Sequence, residues 1–174
     1  MTTNTLPAPS SPMTTQPRDR LRQISLALAI LGLFVAGYLS YTHATGTEIA
    51  CVEGVSNCEV VNASYYASFP PSEGGKGGIY VGYLGFAGYL TILATLILER
   101  RVPFLQRWGG LILVGMTFFG FLFSMYLTAI EAFVLYEWCQ WCVVSAITMT
   151  ILFGVSLARL WQGAPEDALE DGEA

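Results

Sequence analysis

The sequence predicts an all-α membrane protein, a four-transmembrane-helix bundle with an extracytoplasmic loop cap between helices 1 and 2, and three observations predict it. The 174 residues are 53% hydrophobic and only 12% charged, with a mean hydropathy of +0.52, far from a soluble-domain average. Four segments, Ile24 to Tyr41, Ile79 to Leu98, Gly109 to Leu135 and Trp138 to Trp161, are long enough to cross a bilayer, which takes roughly 20 apolar residues in a helix. None has Lys or Arg in its interior, and Glu131 is the one clear acid inside. Finally, the basic residues are sharply partitioned between the two sides of these segments, as in a multi-pass membrane protein.

The elements divide the chain into a disordered cytoplasmic tail (1–20), a membrane catalytic domain (21–162, with the outward loop at 42–78) and an acidic cytoplasmic tail (163–174). Residues 1–17 are rich in Thr, Ser and Pro without apolar periodicity, so they bury nothing that offsets the entropy of ordering. The end of the chain carries Glu166, Asp167, Glu170, Asp171 and Glu173, a like-charged block that stays solvated and makes most of the net charge of −5. The net charge therefore says little about substrates, and no nucleic-acid partner is expected. The first apolar segment follows Arg18, Arg20 and Arg22 as a signal peptide would, but its 18 residues exceed an ordinary apolar core and no A-x-A follows. It is read as the first spanning helix.

Arg18, Arg20 and Arg22 precede helix 1, Arg100, Arg101 and Arg107 join helices 2 and 3, and Arg159 ends helix 4, so seven of the eight basic residues share one side. By the positive-inside rule both termini are cytoplasmic, in the cell (inner or plasma) membrane, and the 42–78 loop faces outward. All four cysteines then lie on the outward, oxidising side, where thiols can be held as disulfides. Cys139-Gln140-Trp141-Cys142 is a C-x-x-C at a helix N-terminus, where unpaired backbone N–H groups and the helix dipole favour a thiolate. Its two sulfurs are close enough to bridge and store two electrons. Cys51 and Cys58 form a second pair on a loop that can swing to the first and exchange by thiolate attack. Two other readings remain: four structural disulfide cysteines stapling the loop to helix 4, or a Cys₄ metal site. Six residues separate Cys51 from Cys58, whereas zinc sites use roughly two to four, so no metal is expected.

The run Ser56-Asn57-Cys58-Glu59-Val60-Val61 followed by Ser64, then Gly85 and Tyr89, then Cys139-Gln140-Trp141-Cys142-Val143-Val144-Ser145, resembles the vitamin K epoxide reductase family, in particular its bacterial members. Tyr126-Leu127-Thr128 through Glu131 is similar to bacterial relatives too, and the likeness spans residues 24 to 161. The loop pair precedes the C-x-x-C, which separates this arrangement from the other bacterial quinone-linked disulfide generator. The resemblance implies a quinone-dependent thiol:disulfide oxidoreductase that makes disulfide bonds in a thioredoxin-like partner and reduces a membrane quinone, ubiquinone or menaquinone. It also implies roles. Cys142 faces the quinone and forms the reducible disulfide with Cys139, Cys58 attacks that disulfide, and Cys51 exchanges with the extracytoplasmic partner. Ser64 and Tyr66 match positions bordering the quinone site. Many bacterial relatives continue into a fifth helix and a fused thioredoxin-like domain, whereas this chain runs into the acidic tail, so a stand-alone homologue with a separate partner is expected. Reduction of a quinone epoxide is the alternative activity within the family; a non-enzymatic metal-binding or structural membrane protein is the alternative outside it.

Several residues keep two readings. Gly78, Gly82, Gly85 and Gly88 recur about once per turn and read best as helix packing. Glu131 could relay protons released at the cysteines, or sit half-solvated at the membrane interface near Tyr136. His43, the only histidine, reads as an interface or capping residue. Trp138, Trp141, Tyr65 and Tyr66 fit an outer aromatic belt or the quinone slot. The segment Pro70 to Gly78 is longer and richer in Gly than the usual link to helix 2, and a mobile hinge is expected there.

Overall fold

A computed structural model describes residues 17–52, 54, 56–71 and 78–170, with side chains described between 20 and 162. Most of the expected disordered tail, six residues of the expected Gly-rich hinge (72–77) and the last four residues of the acidic tail lie outside the described residues.

The chain runs α1 (Pro17–Thr45), α2 (Cys58–Asn62), a 3₁₀ turn (Tyr65–Ala67), β1 (Ser68–Phe69), β2 (Ile79–Tyr80), α3 (Val81–Leu98), α4 (Pro103–Ile130), a π-helical turn (Glu131–Leu135) and α5 (Gln140–Glu170). Pro17 and Pro103 open their helices, where a missing N–H costs nothing and a fixed φ is already helical. Four helices are long and apolar enough to cross a membrane: Arg20–Thr45, Val81–Leu98, Pro103–Leu135 and Gln140–Gln162. Their outer faces carry Phe34, Phe119, Phe133 and Trp161, all largely exposed. In water such a surface would aggregate; in hydrocarbon it is the expected solvent-facing side.

The inner faces pack α1 against α3 and α5, and α4 against α5 and α3. Their shared core is Ala29, Ala36, Tyr89, Ile92, Leu96, Leu113, Met149 and Leu152. Gly32 lets α1 approach closely, since a Cβ there would run into the Tyr89 ring. The Tyr89 hydroxyl donates to the Ser145 carbonyl at 3.0 Å, so the one polar group this ring brings into the core is satisfied. At the far end of the bundle from the cysteines, Arg159 Nη2 donates to both carboxylate oxygens of Glu99 at 2.9 and 3.0 Å. Arg22 donates to the Leu96 carbonyl at 3.2 Å nearby, and these contacts tie α1, α3 and α5 together.

A small cap closes the other end. β1 and β2 pair antiparallel, Ser68 with Tyr80 and Phe69 with Ile79. The return of the chain needs glycine at 78, where a Cβ would lie 2.6 Å from the Pro70 carbonyl oxygen and 2.9 Å from Phe69 backbone atoms. β2 then runs straight into α3 with no intervening residue.

Candidate active site at the cysteine end

The last spanning turn of α4 does not end as an ordinary α-helix. Glu131–Leu135 widens into a π turn, and Tyr136 adopts a left-handed φ of 54° that stops the helix. An extended segment then carries the chain to α5, whose first helical bond runs from the Val143 N–H to the Cys139 carbonyl at 3.0 Å. Cys139 therefore occupies the N-cap position and Cys142 the first turn. Helix 4, expected from Trp138, begins at Gln140, after the Trp138 carbonyl has been taken by the cap and the Cys139 N–H by Glu131.

That binding is specific. The Asn57 N–H donates to the Trp138 carbonyl at 3.0 Å, and the Asn57 side chain donates to Glu137 at 2.9 Å. The two residues between the C-x-x-C cysteines also grip the loop. Gln140 Nε2 donates to the Ala50 carbonyl at 3.1 Å while its Oε1 accepts the Val52 N–H at 3.3 Å. Trp141 Nε1 donates to the same Ala50 carbonyl at 2.9 Å, and its ring packs on Tyr38 with centroids 4.9 Å apart. Tyr38 in turn accepts the Ala50 N–H at 3.0 Å. The backbone on both sides of Cys51 is thus fixed over the start of α5.

All four predicted cysteines are brought together. Cys51 and Cys58 form a disulfide, whereas Cys139 and Cys142 are free thiols. Cys58 and Cys139, 1% and 0% exposed, share one buried cluster with Val61, and Cys51, Cys142 and Trp141 pack around it. Cys139, one residue ahead of the span, has its thiol held below the ordinary value: the Cys142 thiol bonds to it, and the backbone N–H groups of Cys142 and Trp141 add to this, outweighing burial and the nearby Glu131 carboxylate.

Below the cluster lies a cavity of about 600 Å³ between the helices and the cap. Cys142 lines it and Cys139 does not, so the pair spans from the cap into the cavity wall. The two other sequence-singled residues, Ser64 and Tyr66, line it as well. The Ser64 hydroxyl, however, is engaged with the Val61 carbonyl at 2.7 Å, and Tyr66 meets Tyr65 edge-on with centroids 5.4 Å apart. Gly82, Gly85 and Gly88 line the cavity too. A Cβ on Gly88 would meet nothing within 4 Å, whereas one on Gly85 would touch Ala36 of α1 and one on Gly82 would collide with the Tyr80 ring, so Gly88 leaves open space and Gly82 and Gly85 admit neighbours.

Two polar lining residues carried no signal in the sequence. Asn62, at the end of α2, donates to the Cys58 carbonyl at 2.9 Å and accepts a hydrogen bond from the Tyr80 hydroxyl. Tyr80, just ahead of α3 and 3% exposed, has its hydroxyl pKa pushed up by burial and then by the two nearby thiols, so it remains a neutral donor. His43, expected as an interface or capping residue, lies flat on the Tyr80 ring at 3.9 Å. Only a hydrogen-bonding residue one helical turn beyond Cys58 could have hinted at Asn62; Tyr80 looks like any aromatic at a span end.

Thiols that surrender two electrons, set against a mostly apolar cavity within membrane-length helices, are the equipment of a multi-pass membrane oxidoreductase. The comparison with family models agrees and is more particular. The model of the vitamin K epoxide reductase family matches residues 23–157, and the chain belongs to that family.

Proposed function

We propose that this protein is a quinone-dependent thiol:disulfide oxidoreductase that oxidises a thioredoxin-like partner and passes the electrons to a membrane quinone. The observation that carries the reading is the unbroken path of sulfur from cap to cavity: a bonded Cys51–Cys58 pair, Cys58 buried against Cys139, and Cys142 in the cavity wall. Cys51 exchanges with the partner's dithiol, leaving the partner oxidised and the loop pair reduced. The Cys58 thiolate then attacks the Cys139–Cys142 disulfide at Cys139, and closure of Cys51–Cys58 releases Cys139 and Cys142 as thiols.

The cavity suits a quinone in chemistry and size. Its volume of about 600 Å³ falls within the roughly 300 to 1,000 Å³ of small-molecule sites, and Asn62, Tyr66, Tyr80 and Glu131 are among the polar groups set in a mostly apolar wall. When bound there, a quinone takes up two electrons and two protons. By the charge partition of the sequence, the cysteine end faces the extracytoplasmic side of the cell membrane and both termini the cytoplasm.

Quinone reduction driven by a reduced dithiol, measured on purified protein in detergent for wild type and Cys142→Ala, tests the reading. Turnover in wild type that vanishes in the variant is expected; no turnover with either a ubiquinone or a menaquinone would end it.

A further inference from the structure

Every thiol has a role in the relay, yet one buried ionisable group beside them has none. Glu131 is 4% exposed, which removes the half-solvated interface position that its sequence context allowed. The π turn that begins at Glu131 puts an extra residue into the helical turn, a distortion that concentrates at functional sites. Its carboxylate Oε2 accepts the Cys139 N–H at 3.3 Å, the Cys142 thiol is its other polar neighbour, and the residue lines the same cavity as Cys142. Among the described residues that line the cavity, the other ionisable side chains are Cys142, Tyr66, Tyr80 and Tyr89, and Glu131 is the one carboxyl. A buried carboxyl is costly to retain in hydrocarbon unless it is paired, and here its partners are the Cys139 backbone N–H and the Cys142 thiol.

We infer that Glu131 is the proton carrier of the inner thiol pair, taking the Cys142 proton as the Cys139–Cys142 bond forms and delivering it into the cavity. The inference rests on the proposed quinone reaction for its acceptor. In that step two S–H bonds break and one S–S bond forms. Two electrons and two protons leave for the quinone, whose two oxygens become hydroxyls. Glu131 holds one of those protons in transit and ends the cycle as it began. Glu131 meets the donor thiol and opens on the cavity, and a side chain so positioned for proton transfer contributes roughly 10²- to 10⁴-fold.

Glu131→Gln isolates the proton, because the amide oxygen still accepts the Cys139 N–H while the group can no longer ionise. Purified full-length protein should lose at least about 100-fold in kcat for quinone reduction, the lower bound for a general acid–base group, with KM for the quinone within about twofold. A second readout needs no quinone. Redox-difference infrared spectra, with the inner pair cycled by dithiol and disulfide buffers, should show a carboxyl band that changes between the oxidised and reduced states. That band should be missing in Glu131→Gln and displaced in Glu131→Asp, which regains part of the rate. Glu131→Gln turning over within about threefold of wild type, or a wild-type carboxyl region that is silent on cycling, overturns the assignment. A clear wild-type carboxyl band in a protein that reduces no quinone would instead overturn the acceptor and leave the proton coupling standing.

Discussion

Gln140 offers the most direct test of how the loop is held over the inner cysteines. Gln140→Ala removes two hydrogen bonds at once, one to the Ala50 carbonyl and one from the Val52 N–H, without touching any sulfur. Each such bond contributes about 0.5–1.5 kcal/mol net. Both lie at the exposed edge of the site, where water competes, so the lower part of that range applies and the sum is about 1–2 kcal/mol. At 1.4 kcal/mol per factor of ten, the docked loop should be disfavoured by roughly five- to 30-fold. The quantity to measure is the effective concentration of Cys58 at Cys139, from the equilibrium of their mixed disulfide against a glutathione buffer in a Cys51→Ser, Cys142→Ser background. An effective concentration within twofold of the parent would refute the view that the residues inside the C-x-x-C position the loop. Trp141→Phe serves as a graded control, because it loses one bond to Ala50 while keeping a ring against Tyr38.

Cys51→Ser should block turnover driven by a thioredoxin-like protein dithiol but leave part of the turnover driven by a small dithiol, which can reach the inner pair without the loop; equal loss in both assays would sink the shuttle role of Cys51. Gly32→Ala should destabilise the bundle by about 1–3 kcal/mol, as overpacking does, because its Cβ would collide with the Tyr89 ring. A thermal-unfolding midpoint in detergent unchanged from wild type would show that α1 and α3 are less tightly packed than described.

The membrane bundle was legible because spanning hydrocarbon demands long apolar helices, and that demand is written in composition. The observed helices run beyond the apolar segments, α1 from Pro17, α4 from Pro103 and α5 to Glu170, while α3 begins at Val81 after Tyr80 has entered a strand and α5 at Gln140 after the Trp138 carbonyl has bonded to the cap. The cysteines were legible because C-x-x-C chemistry depends on local spacing and on a helix N-terminus. Asn62, Tyr80 and Gln140 were not, since each acts only across a contact between segments distant in sequence, and no local pattern encodes that proximity. Glu131 falls between the two. Its presence in an apolar helix marked it, but its burial follows from a π turn, and hydrophobic periodicity does not distinguish a π turn from ordinary helix.

The shortness of α2 has a thermodynamic consequence. Its five residues carry Cys58 at one end and Asn62 at the other, and the Asn62 amide is bonded back to the Cys58 carbonyl. Any tilt of this single turn shifts the outer disulfide and the cavity wall together. Coupling free energy between two sites is reciprocal. If breaking the Cys51–Cys58 bond alters the affinity of the cavity by some factor, filling the cavity alters the equilibrium of that bond by the same factor, and a full cavity thereby reports its state to the surface of the cap.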